Sequence, residues 1–305
     1  MRTVAFIGLG RMGQPMAANL AKEGFAVRSF DLNGTGSSSS VQDAAAGAEL
    51  MITMLPDGKA VREAVLKALP ALNSGAVVVD MSSSDPAATR ALGTALAARG
   101  VELIDAPVSG AVPKAIDGTL TIMVGGTEAA LARVRPVLEK LGNRIVHVGP
   151  LGAGHAVKAL NNYLGAAGTL AGFEALLVAR AYGLDPKPML EAINASTGRN
   201  SATERKIPQQ VLTGAFASGF KLALMVKDVG IAYRLARDLG IDAPYLREAL
   251  KLWRDAQRRL PADADHTRVY EYLKRRSAPA RRKPAPSRGA RARRSSSRRS
   301  PRRST

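Results

Sequence analysis

The run TVAFIGLGRMGQPMAANLAKEG (3–24) constrains the fold more than any other stretch of the chain. A short apolar run leads into Gly-x-Gly-x-x-Gly at 8–13, and a segment of helical composition follows at once. A strand that turns through glycines straight into a helix is the opening half of a βαβ unit. Gly8 makes the turn, Gly10 lets backbone approach a pyrophosphate, and Gly13 lets helix and strand pack closely. Leu9, Arg11 and Met12 lie between them, where free amides at the helix N-terminus meet the anion. Asp31, eighteen residues beyond Gly13 at the end of the next strand candidate AVRSF (26–30), is placed to accept hydrogen bonds from an adenosine ribose. A carboxylate there repels a 2′-phosphate, so NAD is the expected cofactor and NADP the second candidate.

The same alternation continues through the first 150 residues. Strand candidates ELMITML (49–55), AVVVD (76–80), VELID (101–105), TLTIMV (119–124) and RIVHV (144–148) alternate with stretches of helical composition. That pattern predicts a mostly parallel sheet covered on both faces. One link is short. LNGTGSSSSVQDAAAG (32–47) has no room for both a helix and a strand before the helical stretch near 42–47, so this crossover is either abbreviated or a loop. The shortening falls on the adenine end of the site. After GPLGAG (149–154) the pattern changes: 155–183 reads as one long helix, and Pro186, Pro188, Gly198, Pro208 and Gly219 punctuate further helical stretches. The predicted class is α/β, an N-terminal Rossmann-like domain followed by an all-helical C-terminal domain. Its predicted parts are a dinucleotide-binding domain at 1–151, a helical substrate and oligomerisation domain at 152–273, and a basic disordered tail at 274–305.

Composition narrows the class further. With 305 residues and 46% hydrophobic content the chain can bury a large core. The formal charge of +19 is uneven: 14 of the 44 Lys and Arg residues lie from Lys274 onward with no acid, and the remaining 30 face 25 acidic residues, a net +5. The tail is therefore the one expected point of contact with nucleic acid or another polyanion, through charge alone. No run of eighteen apolar residues and no signal-peptide pattern occurs, so a cytoplasmic protein without membrane insertion is expected. The absence of cysteine excludes disulfides, thiolate metal sites and a cysteine nucleophile. His147, His155 and His266 are too scattered for a zinc site, and no metal is expected.

Three segments carry candidate chemistry. VKALNNYLG (157–165) puts Lys158 and Asn162 on one face of a helix. Spacing alone leaves open whether they face a cleft, or whether Lys158 snorkels along a packed helix while Asn162 bonds locally. DAPVSGAVPKAIDGTL (105–120) places Ser109 and Gly110 after a strand, where a hydroxyl and backbone donors can meet a carboxylate; an ordinary turn reads the same. In LALMVKDVGIAYRLARDLGIDAP (222–244), Lys227 interrupts an apolar run just before Asp228, either in a cleft or in a surface ion pair.

Taken in order, GLGRMGQPMAANL, ITMLPDG, VVDMSSSDP, DAPVSG with GTLTIMVGG, GAGHAVKALNN, MVKDVGIAYRLA and DADHTRVYEYL resemble the β-hydroxyacid dehydrogenase family over about residues 2–273. That family includes 3-hydroxyisobutyrate dehydrogenase, tartronate semialdehyde reductase and L-threonate dehydrogenase. The resemblance implies that Lys158 is the catalytic acid/base, that Asn162 holds substrate, and that Ser109 and Gly110, with Ala111 beside them, bind its carboxylate. It further implies that Leu55 and Pro56 form a loop beside the cofactor, that Ser83 lies near the nicotinamide, and that Lys227 lies at the cofactor and active-site cleft. The implied activity is reversible hydride transfer between NAD(P) and a small β-hydroxy acid or its semialdehyde, in a homodimer or homotetramer. Two positions depart from the family pattern: Ala111 and Lys114 stand where glycine is common. Together with TGRNSATE (197–204), which looks like a segment of sugar-acid relatives, they move the expected specificity away from strict 3-hydroxyisobutyrate. The alternatives are a reductase preferring a small aldehyde acid or imine, and a noncatalytic dinucleotide sensor with a polyanion-binding tail. Lys158 favours the acid dehydrogenase, because imine-reducing relatives commonly replace it.

Overall fold

The computed structural model describes residues 2–277. β1 (Thr3–Ile7) turns into α1 (Gly13–Lys22), and β2 (Ala26–Phe30) returns parallel to β1 with Val4 opposite Val27. The turn admits only glycine at 13, because a Cβ there would collide with the Gly8 carbonyl. The chain then passes through α2 (Val41–Ala45) to β3 (Leu50–Thr53) on the other side of β1. β4 (Val77–Asp80) and β5 (Glu102–Asp105) add in parallel by way of α3 (Gly58–Ala68) and α4 (Pro86–Ala97). β6 (Val108–Ser109), α5 (Ala111–Ile116), β7 (Thr121–Gly125), α6 (Glu128–Leu138) and β8 (Arg144–Gly149) complete the layer. The strand order is β2-β1-β3-β4-β5-β7-β6 with β8 on β7, and β7 runs antiparallel to β5 and β6.

Alternate residues of each strand point to opposite faces, and both faces are apolar. Val4, Phe6, Leu50, Ile52, Val77 and Val79 pack with Met16, Leu20 and Val134 of α1 and α6. Ala5, Ile7, Met51 and Val78 pack with Ala44, Val65 and Leu96 of α2, α3 and α4. All seven predicted strands form, with ends displaced by at most two residues. β6, with two residues, is too short to show any periodicity. The short link is an abbreviated crossover whose helix has five residues. Serine side chains cover the open edge of β2: the Ser38 N–H donates to the Ser29 carbonyl at 2.9 Å, and the Ser29 N–H donates to Ser37 Oγ at 3.0 Å. Side chain and loop thus satisfy groups that another strand would pair.

The second part is helical. α7 (Ala153–Tyr182) follows β8 directly and is succeeded by α8 (Pro186–Asn194), a π-type segment at Ala202–Val211, α9 (Leu222–Asp238), α10 (Pro244–Arg259) and α11 (Val269–Ser277). By length and composition α7 is long and apolar enough to cross a membrane. Here it serves as a core helix, burying Leu170, Phe173 and Leu176 with Val229, Trp253 and Ile207. A Rossmann-like sheet layer followed by a helical one is the expected fold class. α11 runs to Ser277, so the first four residues of the expected tail are helical. The remainder of that segment, with its predicted disorder and polyanion binding, lies outside the described residues.

Candidate active site

Ligands of open parallel sheets bind beyond the carboxyl ends of the strands, where the strand order reverses. Here that place lies between β1 and β3. Beyond β1, Asp31 ties the glycine loop to the end of β2: Oδ2 accepts the Leu9 N–H at 2.7 Å and Oδ1 the Asn33 N–H at 2.8 Å. A carboxylate offers about four acceptor directions, so two remain for a ribose. Met12 precedes α1 with no side chain capping the helix amides, and a Cβ on Gly10 would meet nothing within 4 Å. Uncapped amides, clear space in front of the loop and a carboxylate at its rim together fit the pyrophosphate and ribose of a dinucleotide. Arg11 is exposed, and its guanidinium donates across to the Gly219 carbonyl at 3.1 Å.

The loops beyond β3 and β4 are organised by one buried carboxylate. Asp80 accepts hydrogen bonds from the Thr53 hydroxyl at 2.9 Å, the Ser82 N–H at 2.9 Å and the Ser84 hydroxyl at 2.8 Å. Ser82 Oγ in turn accepts the Leu55 N–H at 2.9 Å. This arrangement aims the carbonyls of Pro56 and Ser83 at the helical half, and Lys227 Nζ donates to both, at 2.9 and 2.8 Å. The same ammonium lies 3.2 Å from Asp228 Oδ1, and Asp228 Oδ2 accepts the Asn162 amide at 2.6 Å. Lys158 stands one helical turn before Asn162 on α7. Burial, reinforced by the charge of Lys227, draws its ammonium below the ordinary lysine range, against the opposing pull of Asp228. Lys227 thus forms an ion pair with Asp228 and also bridges the helical half to the loops beyond β3 and β4.

α7 is held at its first turn from outside its own sequence. Asp105 at the end of β5 accepts the Gly152 N–H at 2.7 Å and the His155 N–H at 2.6 Å. Burial raises the proton affinity of Asp105, with His155 and these amides opposing. The Thr89 hydroxyl lies 3.0 Å from the Asp85 carbonyl, to which it donates, and 2.8 Å from His155 Nδ1. His155 Nε2 faces Asp80 Oδ2 at 3.5 Å. The imidazole thus joins the loop beyond β4 to the base of the helix carrying Lys158. Sequence reasoning missed Asp80, Asp105 and His155 in this role. They stand inside recognised motifs, but no periodicity reports a contact between residues 47 or 50 positions apart.

The carboxylate segment has an unusual backbone. Ser109 pairs with Thr121 across β6 and β7, Gly110 has φ +145° and Ala111 has φ +58°. An alanine in the left-handed region crowds its own Cβ against the backbone, at a cost of roughly 1–2 kcal/mol. Asn162, Lys227, Leu55, Pro56 and Ser83 are joined by the network above, with Lys158 one helical turn from Asn162, whereas no hydrogen bond among the described residues links Lys158 or Ser109 to it. Arg234 Nε adds a further bond across the cleft, to Asp85 Oδ2 at 3.1 Å. Cavities of about 700 Å³, beside Leu177 and Tyr270, and 680 Å³, beside Leu103 and His147, lie elsewhere and include none of these groups.

Comparison with known proteins agrees with this geometry. Residues 3–149 match the NAD binding domain of 6-phosphogluconate dehydrogenase, and residues 152–273 match the family described as NAD-binding of NADP-dependent 3-hydroxyisobutyrate dehydrogenase. The 2-(hydroxymethyl)glutarate dehydrogenase of Eubacterium barkeri is 39% identical over 82% of this chain and 87% of its own length. The NAD-dependent L-serine dehydrogenase of Pseudomonas aeruginosa is 38% identical over 83% of this chain and 92% of its own. The structure of Mycobacterium tuberculosis 3-hydroxyisobutyrate dehydrogenase with L-serine superposes with a TM-score of 0.84 at 35% identity, covering 90% of this chain and 99% of that one. An imine reductase from Streptomyces aurantiacus shares the fold, at 23% identity and a TM-score of 0.58. The chain is thus an oxidoreductase that uses NAD or NADP and acts on small hydroxy acids or their semialdehydes. It belongs to the 3-hydroxyisobutyrate dehydrogenase-like branch of the NAD-binding β-hydroxyacid dehydrogenase family.

Proposed function

We propose that the protein oxidises small 3-hydroxy acids reversibly to their semialdehydes, with Lys158 as the acid/base. In this reading residues 1–151 take the dinucleotide, NAD in preference to NADP because of Asp31, and residues 152–273 supply the substrate side. The substrates named for the relatives, 2-(hydroxymethyl)glutarate, 3-hydroxyisobutyrate and L-serine, share a primary hydroxyl on the carbon β to a carboxylate. That unit suits the groups here. Ser109 Oγ and the Gly110 amide receive the carboxylate. Asn162, with one amide hydrogen held by Asp228, keeps the other for the substrate.

The bound nicotinamide supplies the two-electron acceptor or donor. Lys158 moves the proton: as a neutral amine it takes the alcohol proton during oxidation, and as an ammonium it returns one to the incipient alkoxide during reduction. A lysine at its ordinary pKa of about 10.4 is almost wholly protonated at neutral pH. The placing of Lys158 one turn before Asn162, in the site that Asp228 and Lys227 tie to the loops beyond β3 and β4, is the observation that carries this reading. Burial lowers its proton affinity in the direction that raises the fraction able to act as base. His155, at 1% exposure, is sealed from substrate and positions the helix instead.

A spectrophotometric panel of 3-hydroxy acids with NAD⁺ and NADP⁺, run on wild type and Lys158→Ala, tests the assignment. The substitution is expected to lower kcat roughly a hundredfold or more. In wild type, kcat for oxidation should rise with pH as Lys158 deprotonates, with a midpoint below that of an ordinary lysine. Near-wild-type turnover in a folded Lys158→Ala protein rejects the assignment.

A further inference from the structure

Lys114 has no part in the chemistry above. It lies four residues after Gly110, on α5, and helical side chains lean toward the helix N-terminus. Its stem consequently covers Gly110: a Cβ built there would stand 2.7, 3.0 and 2.6 Å from Lys114 Cβ, Cγ and Cδ. Gly110, at φ +145°, has no side chain to compete for that space. α5 is fixed against α1 by Asn19, whose amide donates to the Ala115 and Ile116 carbonyls at 3.0 and 3.2 Å. The lysine is thereby held over the Ser109–Gly110 turn, on a short helix moored to the helix that opens the cofactor loop.

Charge decides what such a lysine receives. Among the described residues Lys114 forms no ion pair, and its side chain is exposed. The neighbouring charges are accounted for. Lys227 is paired with Asp228, Arg11 donates to the Gly219 carbonyl, and in the proposed reading the first substrate carboxylate has a hydroxyl and an amide. One cation beside the turn is left without an anion from protein, cofactor or a simple monoacid. A charge-assisted hydrogen bond to a second acidic group satisfies it.

We propose that Lys114 forms a second anion subsite, so that the preferred substrate is a hydroxy acid bearing an additional carboxylate, sulfonate or phosphonate. This rests on the reading of Ser109 and Gly110 as the seat of the first carboxylate. The test is calorimetric titration of the full chain loaded with NADH, in which an alcohol substrate binds without turning over. The ligands are 2-(hydroxymethyl)succinate, its monoamide lacking the second charge, and L-threonate as a polyhydroxy monoacid. Wild type is expected to bind the diacid about tenfold more tightly than the monoamide, the scale of one charge-assisted hydrogen bond. That preference should fall to near unity in Lys114→Gln and persist in Lys114→Arg. Equal binding of diacid and monoamide by wild type, an undiminished preference in Lys114→Gln, or threonate binding as tightly as the diacid would overturn the proposal. Turnover measured alongside separates it from the reading on which it rests. Selective binding without turnover keeps the subsite and rejects the dehydrogenase assignment, and turnover without selectivity rejects the subsite alone.

Discussion

Lys158 and Lys206 are both lysines whose charge is opposed by burial, yet their surroundings give them different work. Lys206 donates to the Thr169 hydroxyl at 2.6 Å, and burial with the charge of Arg205 lowers its pKa to about 8, against Asp265. It faces His266 rather than the cleft. Burial and then the charge of Lys206 depress His266 to about 4 from an ordinary 6.5, although Asp265 and the Phe220 carbonyl pull the other way. Above pH 6.5 the imidazole is neutral whether folded or not. As pH falls toward 4, the unfolded chain takes up a proton that the folded one refuses, so stability present above pH 6.5 is lost across that window. A displacement of this size corresponds to about 3 kcal/mol. Urea titrations between pH 7 and 4 should show a loss of that order in wild type and much less in His266→Gln; parallel pH dependence in the two proteins would contradict it. At this scale the sequence displayed a lysine within an apolar helical run, at both 158 and 227. It did not display how far each would be buried, because burial is a property of the packed neighbours.

Among the elements, α7 shows most clearly how far local signals reach. Its length is legible from composition, and the reading of 155–183 lies within two residues of Ala153–Tyr182. Its N-terminal cap is not. Gly152 precedes the helix with a left-handed backbone and no capping side chain, and the acceptor arrives from Asp105 on β5. Asp105→Asn removes a negative charge from a helix N-terminus and one acceptor from two buried amides, an expected loss of roughly 2 kcal/mol. Because Lys158 stands on the next turn, kcat should fall with the denaturation midpoint while the pH midpoint for oxidation stays near that of wild type. An unchanged midpoint of unfolding would show that the cap carries no such weight. The abbreviated crossover after β2 was legible as a shortage of residues, but its solution, serine side chains along a strand edge, depends on where residues 37 and 38 meet Ser29.

For the whole molecule, Lys227, Arg11 and Arg234 bind the Rossmann-like and helical halves to each other across the cleft. α7 also carries an apolar stripe on its outer surface, with Leu164, Val178 and Tyr182 exposed by 68, 69 and 82%. Antiparallel pairing with a second copy about Ala171 sets Leu164 against Val178 and Leu160 against Tyr182, the self-complementary pattern of a two-fold interface. Light scattering at micromolar concentration should therefore report a dimer or larger assembly. The double substitution Leu164→Glu with Val178→Glu should give a monomer of unchanged helical content; a monomeric wild type would defeat this arrangement.

The sequence by itself determined the alternation of strands and helices, the glycine turn with Asp31 opposite it, and the shared face of Lys158 and Asn162. Each of these is written within one strand or a few helical turns, where side-chain period and backbone preference act. Tertiary structure alone decided that Lys227 would grasp carbonyls 171 and 144 residues away, that Asp105 would cap α7, and that the stem of Lys114 would lie over Gly110. Proton affinity and long-range hydrogen bonding depend on which distant atoms become neighbours and how much water they exclude, and no local pattern encodes that.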